Sequence, residues 1–136
     1  MPRAEMTKRV EEALRHPAVR CLSHPTGRLI NRRPENALDL ERIFELARTQ
    51  GVAVEVNGLP ARLDLSGEHV RDALRAGVSI VCSTDAHSPA ALDHITLSVA
   101  TARRGWATAA DVLNTRPLEA LLSRAARSAE MITRLR

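Results

Sequence analysis

The sequence predicts an α/β fold: a parallel three-stranded sheet with flanking helices. Two observations carry this. Strand-forming runs, VRCLS at 19–23, VAVEVN at 52–57 and VSIVCS at 78–83, alternate with stretches whose apolar residues recur at helical spacing. The second run is apolar almost throughout, as expected of a strand covered on both faces in a parallel sheet.

From Ala4 to His16, residues Met6, Val10, Ala13 and Leu14 share a helical face, and Pro17 stops the helix. The strand at 19–23 opens into HPTGRLINRRPEN, a loop dense in turn-forming residues. Asp39 is placed to cap a second helix with the stripe Leu40, Ile43, Phe44 and Ala47, and Gly51 to end it in a left-handed stop. After the second strand comes the loop GLPARLDLS. Ser66 caps a third helix bearing Val70, Ala73 and Leu74, closed by Gly77 before the third strand. The remainder reads as a helix near 90–104, a turn opened by Thr108 with Asp111 as its capping-box partner, and a last helix from about Thr115 with Pro117 in its first turn. No repeat, low-complexity tract or linker divides the chain, so 1–136 reads as one domain.

A domain of 136 residues buries about two thirds of its unfolded surface, enough for a sizeable core. Aliphatic residues must build that core, because Phe44 and Trp106 are the only aromatics. Their scarcity argues against recognition of single-stranded nucleic acid on a row of stacking platforms. The net charge of +4 rests on arginine, Lys8 being the only lysine. It favours an anionic partner such as phosphate, DNA or RNA, although a GC-rich genome produces the same bias. Cys21 and Cys82 form no CxxC, which points to a reducing compartment. No apolar run approaches the roughly 18 residues of a membrane span, and the charged start MPRAEMTKR has no signal core, so a cytoplasmic protein without membrane association is expected.

Functional groups in parallel sheets collect where strands end. The first run delivers His24, the second Glu55 and Asn57, the third Asp85 and His87. In an extended segment Asp85 and His87 point to the same side, and imidazole with carboxylate suits Zn, Mn or Fe. Each residue also has a plainer reading. Asp85 and His87 fit a polar turn, His24 a loop histidine, and Glu55 a salt bridge to Arg28 or Arg62. Thr26, Gly27 and Arg28 offer a hydroxyl, an amide and a guanidinium to a phosphate, or simply a tight turn around Gly27. Three positions before a candidate ligand, Cys21 and Cys82 are expected on the opposite face, as buried apolar residues. Arg103, Arg104 and Trp106 make a cationic corner, suited to a phosphate contact or to plain solvation of a helix end.

The strings SHPTGRLI, EVN followed by RLDLS, STDAHSP, TARRGW and DVLNTRPLE, in this order from about Glu5 to Leu122, resemble the C-terminal part of the PHP (polymerase and histidinol phosphatase) domain of bacterial family X DNA polymerases. The resemblance implies a distorted (β/α)7 barrel holding up to three divalent ions, Mn or Zn, at its strand ends. It also implies phosphoester hydrolysis, which in the polymerases is 3′ to 5′ exonuclease and DNA-end processing in repair. Of the family's metal ligands, His24, Asp85 and His87 are present, with Asp85 and His87 at the catalytic position. Arg28, Glu55 and Asn57 are expected to face the substrate. The family's HxH motif and its earlier ligands have no counterpart in this sequence, which reads as the C-terminal half of the barrel, weak or inactive alone. The alternative is a non-catalytic α/β module that binds nucleic acid or a partner protein through its arginines. Three strands do not close a barrel, so open edges and association with itself or with the missing N-terminal half are expected.

Overall fold

The computed structural model describes residues 1–124. Helix α1 (Arg3–Leu14) leads to strand β1 (Cys21–Leu22), helix α2 (Leu40–Gln50), strand β2 (Ala53–Asn57), helix α3 (Gly67–Arg75), strand β3 (Ile80–Ser83) and helix α4 (Ile95–Arg104). The three strands form one parallel sheet in the order β1-β2-β3. Parallel pairing with a helix in each crossover makes this an open α/β sheet.

Local chemistry accounts for most element ends. Asp39 accepts from the Arg42 amide and Ser66 from the His69 amide, each satisfying a donor in a first turn. Helices α2, α3 and α4 end in the same way. The amides of Val52, Val78 and Ala107 reach back to the carbonyls of Ala47, Ala73 and Ala102 at 2.8, 3.0 and 3.0 Å. The residue just before each of these adopts the left-handed conformation. In α2 and α3 it is Gly51 (φ 66°) and Gly77 (φ 80°), but in α4 it is Trp106 (φ 69°). The neighbouring Gly105 is needed for another reason, since a Cβ there would lie 2.4 Å from Val70 Cγ1.

Three elements differ from expectation. Strand β1 is two residues long instead of five, because its pairing with β2 ends where His24 turns into the left-handed region (φ 46°). The predicted helix at 90–104 begins as a 3₁₀ segment, Pro89–His94, capped by Ser88, and becomes α-helical only at Ile95. The last helix begins at residue 118 rather than near Thr115, which lies in a 3₁₀ turn (Leu113–Thr115), and residues 125–136 lie outside the described residues.

Register sorts the sheet into two faces. Val54 and Val56, with their neighbours Leu22, Ile80 and Cys82, face the core, which also contains Ile43 and Phe44 of α2, Val70 and Ala73 of α3, and Ala102 of α4. Ala53, Glu55 and Asn57, with Cys21, Val81 and Ser83, form the other face. Cys21 therefore lies on the face of Glu55, while Cys82 lies on the core face as a buried residue. Burial, and after it the Glu55 charge, pushes the Cys21 thiol up to about 11.

The outer edge of β3 is not open. The amide of Ile80 donates to the Asp111 carbonyl at 2.9 Å, and Asn114 pairs with both the amide and the carbonyl of Cys82, at 2.9 and 3.0 Å. A side-chain amide here does the work of a strand backbone. Among the described residues no helix is long and apolar enough to cross a membrane.

Candidate functional site

Glu55 stands mid-strand in β2, buried, and a carboxylate there must be satisfied by protein groups. It accepts from the His24 amide at 2.7 Å, the Ser83 hydroxyl at 2.5 Å and the Asn57 side-chain amide at 3.3 Å. Its Oε2 also lies 3.3 Å from His24 Nδ1. The left-handed backbone of a non-glycine residue costs about 1–3 kcal/mol, and the short bond from the His24 amide to Glu55 offsets that strain.

The other ring nitrogen, His24 Nε2, lies 3.7 Å from Asp85 Oδ2. Asp85 also adopts a left-handed conformation (φ 53°), just past the end of β3. The same oxygen lies 3.6 Å from Arg62 Nε, a buried donor with no hydrogen-bond partner among the described residues. Side chains from the ends of β1 and β3 and from the loop after β2 thus meet at one carboxylate.

His87 joins this group differently from expectation. Because Asp85 leaves the extended region, the same-side rule for alternate strand residues does not apply. The His87 ring instead folds back in a turn, donating from Nδ1 to the Asp85 carbonyl at 2.7 Å. Its Nδ1 lies 4.0 Å from Asp85 Oδ1, and its side chain is 86% exposed.

The HPTGR loop is built around a residue that sequence reasoning passed over. Asp64, fully buried, accepts from the Thr26 hydroxyl and the Gly27 amide, both at 2.8 Å, and from the Thr26 amide at 3.1 Å. The cradle that these groups could offer a phosphate is filled by a protein carboxylate. Burial raises the Asp64 carboxyl above its usual range even though these bonds oppose the shift. Arg28 is committed as well. It donates to the carbonyls of Arg62 and Leu63 and lies 3.6 Å from Glu35. Asn57, fully buried, donates to Glu55 and accepts from the Leu59 amide at 2.8 Å. Arg28, Glu55 and Asn57, expected to face substrate, thus each engage protein partners. The arginine that reaches the cluster is Arg62, which no local signal separates from Arg28.

This arrangement coincides with a clear relationship. Over 126 residues the chain is 44% identical to the DNA polymerase/3'-5' exonuclease PolX of Bacillus subtilis strain 168, covering 90% of this chain. The chain is homologous to part of a family X DNA polymerase. It spans 22% of the length of PolX. No family model matches the chain.

The residues at the PolX-like strand ends suit a divalent ion in part. Imidazole and carboxylate are donors for Zn or Mn, and two donors to one ion lie at most about 4.4 Å apart, so the His24–Asp85 pair fits at 3.7 Å. Among the described residues no three His, Cys, Asp or Glu side chains stand at ligand spacing, and the His87 ring is turned out to solvent.

Proposed function

We propose that this chain contributes part of a metal-dependent phosphoesterase centre acting on the 3′ ends of DNA, with 1–136 as a single partial domain of the PHP type. The approach of His24 and Asp85 from different strand ends carries the reading, and homology to PolX supports it. His24, Asp85 and His87 would hold Mn or Zn, which when bound supplies charge neutralisation and water activation for displacement at phosphorus.

The chain's own residues prepare the site. Glu55 Oε2 and the Asn57 side-chain amide lie 3.3 and 3.5 Å from Nδ1 of His24 and orient the ring, whose Nε2 faces Asp85. Asn57 and Ser83 hold Glu55 in place for this role. Arg62, whose buried Nε–H lies 3.6 Å from Asp85 and has no hydrogen-bond partner among the described residues, is suited to donate to a phosphate oxygen. Arg28 ties the loop after β1 to the loop after β2 and so fixes His24 relative to Arg62.

Titration with Mn or Zn tests the reading. Uptake should fall about tenfold or more in His87→Ala and Asp85→Asn, with far-UV circular dichroism unchanged. Metal-dependent release of nucleotides from a 3′-labelled strand should vanish in Asp85→Asn. Equal metal uptake by wild type and both variants refutes the site. Salt-sensitive DNA binding that ignores metal would leave the non-catalytic binding module as the better description.

A further inference from the structure

We infer that Trp106, with Arg71 and Arg104, forms a contact surface for one unpaired DNA base and its phosphate, using none of the residues of the His24–Asp85 cluster. The choice of DNA rests on the function proposed above; the surface itself does not.

The argument begins with the three like helix ends. Two place glycine at the left-handed position, and the third places the chain's only tryptophan there. A bulky residue at positive φ is an outlier that the turn itself does not require, since glycine adopts this conformation freely. The indole is not held there by burial, for Trp106 is 68% exposed. Its orientation is fixed from one side, by the Arg71 guanidinium lying 3.7 Å from the ring centroid.

The surroundings are cationic. Arg71 and Arg104 line a cavity of about 440 Å³ with Ser66, Gly67 and Glu68. Arg104 is exposed and forms no ion pair among the described residues, and the buried Arg71 Nε has no hydrogen-bond partner there. Attraction to the C-terminal end of α4 accounts for Arg103 and Arg104 but not for an exposed ring. A flat indole backed by one guanidinium, with a second arginine beside the same cavity, matches the two parts of a nucleotide: the base stacks, and the phosphate takes the arginines. The Glu68 carboxylate opposes the anion and places its best position on the arginine side. One indole holds one base, so the surface suits a strand end or a splayed nucleotide rather than a tracked strand.

The chain has no tyrosine and one tryptophan, so indole emission reports this position alone. Adding a short oligo-dT strand in chelator should quench it saturably by about half, with affinity falling steeply between about 50 and 200 mM salt. Trp106→Gly suits the left-handed turn and should keep the thermal midpoint while weakening binding of labelled oligo-dT about tenfold, read by anisotropy. Absent quenching, or unchanged binding by Trp106→Gly, overturns the surface. Equal quenching by an acidic polypeptide also overturns it, in favour of a protein partner. Absent quenching alongside Asp85-dependent metal uptake would overturn this inference alone, whereas quenching with equal metal uptake by wild type, His87→Ala and Asp85→Asn would support it and overturn the proposed function.

Discussion

Replacing Asp64 by alanine should be among the costliest substitutions outside the hydrophobic core. Its carboxylate receives two backbone amides and one hydroxyl from Thr26 and Gly27, and Thr26 is itself only 1% exposed, so water has no ready access to the donors left behind. Each orphaned buried amide costs about 1–3 kcal/mol, while the Thr26 hydroxyl can turn to another acceptor. Relief of the carboxylate's own burial, visible in its raised pKa, returns part of this. The expected net loss is about 3 kcal/mol, a large share of the roughly 5–15 kcal/mol that holds a domain together. Asp64→Asn keeps one acceptor oxygen and should cost about half as much. Urea unfolding followed by far-UV circular dichroism measures both, with the denaturant slope expected to stay constant. A loss below about 1 kcal/mol for Asp64→Ala would show that the loop does not depend on this carboxylate.

Other substitutions probe packing and the sheet edge. A Cβ at Gly58 would lie 2.1 Å from the His94 carbonyl oxygen, which is backbone, so Gly58→Ala should cost about 3 kcal/mol or more in the same unfolding assay. Asn114→Ala removes both bonds to Cys82 and should cost about 1–3 kcal/mol, with dimers or larger species appearing in sedimentation velocity. Burial raises the thiols of Cys21, to about 11, and of Cys82, so alkylation at pH 8 should be slow in the native protein and fast in denaturant. A folded-state pKa above the usual 9.0 means that the Cys21 thiol's contribution to stability is present below pH 9 and lost as pH rises toward 11. Thermal midpoints should fall across that window.

What the sequence revealed was local. Asp39, Ser66, Gly51 and Gly77 announce helix ends because a cap depends on residues within a few positions, and each acts as its sequence predicts. The buried run of β2 was readable for the same reason. Asp64 gave no such signal, because its partners Thr26 and Gly27 lie 38 and 37 residues away and nothing in ARLDLS marks a carboxylate destined for burial. The glycine rule failed at α4, where Gly105 is required for close approach to Val70 and the left-handed turn passes to Trp106. His24 and Asp85 each follow a strand, which predicts that they gather at one end of the sheet. They do meet, through two left-handed residues that no strand rule anticipates.

The two borders of the sheet differ in kind. One is occupied by an asparagine side chain imitating a neighbouring strand, and the other is a segment of only two residues. Neither presents the long flat ladder that recruits foreign β-segments, so stacking into fibrils has little purchase here. Among the described residues an added strand would find strand backbone only beside Cys21 and Leu22, which gives lateral extension of this sheet a single direction.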